Sequence, residues 1–274
     1  MKQMMEKRIL GAILILAIFL PLLFLGGEWF AVMIALIGML GFRELWNVRF
    51  KKKKKETRVP LTLKVLSYGC LLFLILNNWS STEFKIVLDY RVLSLCLIIF
   101  FLPIIILADE KKYNLEDAMF LMGSVIFLGL SFNLIILTRN YSLDYILYFL
   151  IITTVTDTFA LITGLLVGRH KLVEAISPGK TVEGLIGGTL MGVFIASVFY
   201  MTVINSSIDP IQLVIVTVTL SLMGQLGDLV FSAIKRHYDE KDFSNLIPGH
   251  GGILDRFDSI IFVVITATLF MSII

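Results

Sequence analysis

"SAIKRHYDEKDFSNLIPGHGGILDRFDS", residues 232–259, lies between two apolar runs, residues 210–235 and 254–274. It crowds lysines, arginines, carboxylates, glycines and a histidine into the connection between two segments that are each long enough to cross a bilayer. A hydrocarbon core takes about 20 helical residues. The contrast decides the fold: greasy helices on either side, and a charged lip where the chain leaves the lipid. The same alternation runs through all 274 residues, of which 57% are hydrophobic and only 16% charged, against about 25% charged in a soluble domain. The expected class is all-α, a polytopic integral membrane protein.

Nine spans are expected, at about 8–26, 28–47, 61–78, 91–108, 117–138, 143–167, 183–205, 210–235 and 254–274. Arg43 and Glu44 interrupt the second, and Asn77 and Asn78 end the third. The basic start from Met1 to Arg8 leads into an apolar run too long for a cleavable leader, so it reads as the first span. With the N-terminus in the cytosol, the loops that alternate onto that side hold all of the 24 basic residues except Lys85, Arg91 and Arg139. Such a bias sets orientation. The polybasic loop "RFKKKKKETR", residues 49–58, has two readings: a topology determinant, or a site of attraction to anionic lipid at about 1 kcal/mol per basic residue. Cys70 and Cys96 both fall in apolar spans and read as small core residues, with no disulfide framework.

Polar groups inside the membrane are concentrated in the last four spans. Residues 1–142 therefore read as scaffold, and residues 143–274 as the working region. Intramembrane carboxylates are costly and usually face an interior cavity, which singles out Asp157, Asp228, Asp255 and Asp258. Gln225, Asp228, Ser232 and Lys235 are spaced three, four and three apart, one stripe on a helix. Asp228 lies about 10 Å below Lys235 along that helix. Asp255 and Asp258 share a face of the next span. Carboxylates converging in a wet site suit Mg²⁺, which takes one or two of them plus phosphate oxygens. The spacing alone leaves open an interhelical hydrogen bond for Asp228 and a helix-dipole partner for Asp258.

Two loops on the same side carry cations and glycines. In "SPGKTVEG", residues 177–184, Pro178 and Gly179 read as a turn that presents Lys180, with Thr181 at the start of a helix. In "PGHGG", residues 248–252, the glycines let backbone N–H groups approach a phosphate closely. Lys235, Arg236, Lys241 and Arg256 surround this lip. Cations interleaved with carboxylates and glycine turns fit phosphoryl or nucleotidyl transfer, where catalysis is positioning plus charge stabilisation. No Walker loop or H-E-x-x-H is present. Gly164 with Gly168, and Gly184, Gly188 and Gly192, are four apart and read as close helix packing.

The opening stretch resembles the signature of the phosphatidate cytidylyltransferases, the CDP-diacylglycerol synthases. Ser232, Lys235, Arg236, Lys241, Asp242, Pro248, His250, Gly251, Gly252, Asp255, Arg256 and Asp258 occupy its fixed positions. "DTFALITGLLVGRHK", "SPGKTVEG" and "GQLGDLVFS" are similar to further blocks of that family, so the likeness covers residues 157–259. The resemblance implies that CTP and phosphatidate give CDP-diacylglycerol and pyrophosphate in a Mg²⁺-dependent dimer of the bacterial cytoplasmic membrane. It makes Asp228 and Asp255 the metal ligands, with Asp157 ordering the cavity or serving a second, monovalent cation.

The expected roles follow from that resemblance. Lys180, Lys235, Arg236, Lys241 and Arg256 neutralise phosphate charge beside Asp242 and Asp258. Ser177, Thr181, Gly249, Gly251 and Gly252 contact substrate, and His250 donates to a phosphate or braces its loop. Membrane lipids are partners and nucleic acid is not. A CTP-dependent enzyme acting on another lipid phosphate or a polyprenol is the near alternative. An ion-coupled transporter is the distant one; it would need a polar path to the outside and often a repeated half, and the chain has neither.

Overall fold

The computed structural model describes residues 17–51, 59–82, 90–246 and 251–271. The expectations placed on residues 1–16, on the polybasic 52–58, on Lys85, and on Pro248, Gly249 and His250 lie outside the described residues. The chain is mostly helical and forms two compact units, one from the chain up to Asn140 with Phe243–Ile253, the other from Tyr141–Asp242 with the chain from Leu254 onward.

The first unit holds a helical segment over 17–25 and helices α1 (Gly27–Phe50), α2 (Leu61–Ile75), α3 (Tyr90–Leu107) and nearly all of α4 (Leu115–Tyr141). Phe30, Phe42, Leu71, Phe100, Leu121 and Phe132 are buried in it. Two glycines set the spacing of its helices: a Cβ on Gly38 would stand 2.5 Å from Ile75 Cδ1, and one on Gly129 would stand 2.7 Å from Leu74 Cβ. Arg49 ties α1 to α4, donating from Nε and Nη2 to Asp117 Oδ1 at 3.0 and 2.9 Å. The third expected span ends early. Asn78 turns with φ 54°, a left-handed conformation that Asn tolerates better than most residues, and Asn133 Nδ2 donates to the carbonyls of Ile75 and Asn77.

The second unit holds α5 (Leu143–Val167), strands β1 (Lys171–Val173) and β2 (Ser177–Thr181), α6 (Val182–Phe199) continued by a π-helical turn (Tyr200–Ile204), α7 (Pro210–His237) and α8 (Leu254–Ala267). Ser142 caps α5 through its hydroxyl, and Asp209 caps α7 ahead of Pro210, so amide groups that the helix cannot satisfy internally find side-chain partners. Asp209 and Pro210 mark the entry to α7 just as the apolar pattern placed it.

Among the described residues five helices are long and apolar enough to cross a membrane: Gly27–Phe50, Leu115–Tyr141, Leu143–Val167, Val182–Ile204 and Pro210–His237. The outward large side chains of α5 and α6, such as Leu161, Leu165, Leu190 and Phe194, are exposed, which suits lipid as the solvent. α2 and α8, with 15 and 14 residues, are shorter than the apolar runs that contain them. α8 stops where Thr268, Leu269 and Phe270 close tighter turns onto the carbonyls three residues back. One element departs from the all-α expectation: β1 and β2 pair antiparallel as a short hairpin between α5 and α6.

Candidate active site

The second unit, Tyr141–Asp242 with the chain from Leu254 onward, carries most of the candidate residues. Its two central helices, α5 and α6, come close because α6 has no side chains where they meet. A Cβ on Gly184 would stand 2.6 Å from Ala160 O, and one on Gly188 would stand 2.6 Å from Thr156 O. The four-residue glycine spacing therefore packs backbone on backbone. Thr156, drawn into this seam, bonds Ser221 of α7 at 2.9 Å, and Tyr148 bonds Thr217 at 2.6 Å, so α7 is pinned beside α5 by hydroxyl pairs.

The hairpin delivers the first cation. Pro178 and Gly179 were expected as a turn; they lie in β2, and the turn is made by Glu174–Ile176, where Ile176 N–H bonds Val173 O. The reason is pairing: β1 stands opposite, Lys171 against Thr181 and Val173 against Ser177. A two-stranded ribbon also leaves room for a proline without an N–H to give. Lys171 Nζ further bonds Pro178 O at 2.6 Å. Thr181 then ends the strand and caps α6, its hydroxyl accepting from Gly184 N–H at 3.1 Å. Lys180, one residue before the cap, is thereby aimed at α7: its Nζ lies 2.6 Å from Asp228 Oδ2 and 3.3 Å from Gln225 O.

The polar stripe of α7 is real. Gln225 Nε2 donates to Thr189 Oγ1 at 2.9 Å, Ser232 Oγ donates to Asp228 Oδ1 at 3.3 Å, and Lys235 Nζ lies 2.6 Å from Asp255 Oδ1 on α8. α8 lies close against α7 because Gly227 has no side chain: a Cβ there would be 2.8 Å from Asp258 O. Each of the two carboxylates expected to hold metal thus has a lysine of its own. The pairs differ in exposure, with side chains 26% and 29% exposed for Lys180–Asp228 but 10% and 6% for Lys235–Asp255.

These groups enclose a cavity of about 460 Å³ whose wall includes Asp157, Ser177, Lys180, Thr181, Asp228, Lys235, Asp242, Asp255, Arg256 and Asp258. Residues more than 100 positions apart in the chain, from α5 to α8, meet there. Ser259 Oγ donates to Asp157 Oδ2 at 3.4 Å, and Ser259 N–H donates to Asp258 Oδ1 at 2.8 Å. Two expected cations stand elsewhere. Arg236 is turned back onto the carbonyls of Ile176 and Glu240, and Lys241 is exposed on the segment after α7. Gly251 and Gly252 belong to the first unit, where Gly252 lies against Glu44.

Two contributors were read from the sequence only in part, without the partners that the structure gives them. Glu183 accepts from the N–H groups of Arg169 and His170 and pairs with His170 Nδ1 at 2.6 Å, tying the end of α5 to the start of α6. Gln225 was seen only as part of a stripe, whereas its amide locks α7 to α6. Glu183 left a signal, an acid in the first helical turn after a capping threonine; the partner of Gln225 left none.

A cytidylyltransferase family model matches residues 6–274. This chain belongs to the cytidylyltransferase family. Among similar proteins, the phosphatidate cytidylyltransferase of Staphylococcus haemolyticus (strain JCSC1435) is 38% identical over 259 residues, covering 94% of this chain and 96% of that protein. Proteins of the same name from Staphylococcus saprophyticus and Staphylococcus aureus (strain COL) are 37% and 35% identical, each over 94% of this chain and 96% of their own length.

The charges in this cytidylyltransferase cavity bear on whether a metal suits it. Five aspartates line it against two lysines and one arginine. By formal count the carboxyl groups outnumber the cations, and a triphosphate brings further negative charge, so the site calls for added positive charge. Its donors are hard carboxylate oxygens, the type that binds Mg²⁺. Among the described residues, no three acidic, histidine or cysteine groups converge closely enough to hold an ion by themselves. The donor set therefore fits an ion held by one or two carboxylates and completed by phosphate and water, not a closed protein cage.

Proposed function

We propose that this chain transfers the cytidylyl group of CTP to phosphatidate, forming CDP-diacylglycerol and releasing pyrophosphate. The relatives named phosphatidate cytidylyltransferase support the reaction, and the cavity supports its location. The single observation that carries the reading is the pairing of Lys180 with Asp228 and of Lys235 with Asp255 around one cavity in a bundle of apolar helices.

The chemistry needs no covalent enzyme intermediate. A phosphatidate oxygen attacks the α-phosphorus of CTP, the new P–O bond forms, and the bond to the β-phosphate breaks with its electrons leaving on pyrophosphate. Lys180, Lys235 and Arg256 neutralise the phosphate oxygens, and the lysines must exchange carboxylate for phosphate as substrates enter. Asp228 and Asp255 would hold Mg²⁺, which supplies Lewis-acid neutralisation of the triphosphate when bound. Asp157 and Asp258 complete the acidic wall, and Asp157 would order the cavity or serve a further, monovalent cation. Asp242 and Ser177 contribute to the cavity wall, Arg236 and Lys241, which stand outside that wall, would neutralise phosphate charge as substrate approaches, and Thr181 fixes the hairpin that carries Lys180.

The reading extends to the membrane. Nine spans, with the N-terminus and the site on the cytosolic side of the cell membrane, account for the basic bias of the loops. Phosphatidate then enters from the inner leaflet with its acyl chains in lipid, and the protein works as a homodimer. The deciding experiment offers radiolabelled CTP to the purified protein with phosphatidate and with a polyprenol in parallel. Label in CDP-diacylglycerol, dependent on Mg²⁺, is the expected result; label only in the polyprenol product would overturn the acceptor.

A further inference from the structure

Glu44 stands in α1, an acid where the sequence calls for a membrane span, and it is 3% exposed. It faces the glycine-bearing segment that precedes α8, within the first unit. Its Oε1 accepts from Ser244 Oγ at 2.6 Å and from Ile253 N–H at 2.8 Å, residues 200 and 209 positions further along the chain. Gly252 lies against the same carboxylate, where a Cβ would be 2.5 Å from Oε1 and 2.7 Å from Oε2. One buried carboxyl group thus ties together two points nine residues apart in the loop and forbids a side chain at a third.

We propose that Glu44 is a positioning residue for the transfer reaction: by fixing Ser244, Gly252 and Ile253 it holds the segment from which the chain runs on directly into α8, the helix whose first turns carry Asp255, Arg256 and Asp258. Ile253 is two residues before Asp255, and α8 begins at Leu254. An anchor on the Ile253 amide therefore holds the residue that the chain leaves on entering α8. Gly252 is explained by the same contact. It is needed for space, since the carboxylate occupies the position of a Cβ. The assignment rests on the cytidylyl-transfer reading, because Asp255, Arg256 and Asp258 matter only if that reaction is the protein's work.

The test uses the full-length protein in detergent with CTP and phosphatidate. Glu44→Gln keeps the shape but weakens two charge-assisted bonds, and kcat should fall about ten- to a hundredfold, with KM for CTP changed by less than about threefold. Ser244→Ala should cost less, and in the Glu44→Gln background it should cost less again, since the bond it removes is already weakened. Gly252→Ala should lower kcat, and Glu44→Asp in the same chain should restore part of it, because the shorter acid makes room. Backbone hydrogen exchange across Ser244–Ile253 gives a readout apart from turnover: Ile253 should lose protection in Glu44→Gln while the α5–α6 amides keep theirs. Unchanged protection and unchanged kcat in Glu44→Gln would overturn the positioning role. So would global loss of protection in both Glu44→Gln and Gly252→Ala, which would make Glu44 a folding residue. Absence of cytidylyl transfer in the unaltered protein would instead overturn the function reading, and the exchange result would still judge the anchor.

Discussion

At the scale of single residues, the two lysine–aspartate pairs have the same 2.6 Å length but stand in different surroundings, and that difference predicts different behaviour. Lys235 and Asp255 are nearly buried. Replacing Lys235 with Met takes the ammonium away from a carboxylate in a low-dielectric place, and breaking a buried pair costs about 3–5 kcal/mol. Lys180 and Asp228 are partly wet, and exposed pairs contribute about 0–1 kcal/mol. Thermal unfolding in detergent should show Lys235→Met clearly destabilised and Lys180→Met close to the unaltered protein, although both lose most of their turnover. Equal melting temperatures would mean that water reaches Asp255. Asp228→Asn is the complementary case. The amide keeps a partner for Ser232 but loses the charge, so activity should fall at least about a hundredfold with melting unchanged, and added Mg²⁺ should not restore it.

At the scale of elements, the fold could be read from the sequence wherever a period or a spacing carries the information. The stripe of Gln225, Asp228, Ser232 and Lys235 could be read because a helix puts three- and four-residue neighbours on one side, and the structure places Gln225, Asp228 and Lys235 on the cavity wall. Gly184, Gly188 and Gly192 could be read for the same reason. The hairpin could not. Pro178 and Gly179 favour a turn locally, and what makes them strand is the opposite segment Lys171–Val173, too short to show a period of its own. Glu44 was visible only as an interruption, because its partners lie some 200 residues away and no local pattern encodes them. The glycine seam supports a further expectation. Gly188→Leu drives a side chain into Thr156 and Ala160, and overpacking of this kind costs about 1–3 kcal/mol. Since Lys180 hangs from the same seam through Thr181, turnover should fall together with the melting temperature. Thr181→Ala, which removes only the cap, should cost about 1 kcal/mol and lower activity by displacing Lys180. Activity lost in Gly188→Leu without a change in melting would show that the seam does not carry the stability assigned to it.

At the scale of the whole molecule, the proposed Mg²⁺ raises the question of where the energy to organise it would come from. A closed protein cage binds its ion before substrate, and that binding stabilises the fold outright. Here the described residues offer no group of three ligands, and the two carboxylates best placed to bind an ion each hold a lysine. An ion arriving alone would have to displace an ammonium and find its remaining ligands in water. An ion arriving with a triphosphate would bring oxygen ligands of its own, and Lys180 and Lys235 would gain phosphate partners in exchange for their carboxylates. Mg²⁺ alone should therefore move the melting temperature little, and chelation should abolish turnover while leaving the substrate-free protein folded. Mg²⁺ with a non-hydrolysable CTP analogue should stabilise it by about 2.7 kcal/mol at one hundred times Kd, and the analogue with chelator should lose most of that gain. In Asp228→Asn the joint effect should collapse to that of the analogue alone. A large shift with Mg²⁺ alone would mean that the carboxylates form a site before the nucleotide arrives, and the lysine pairs would then have to be broken in the resting protein.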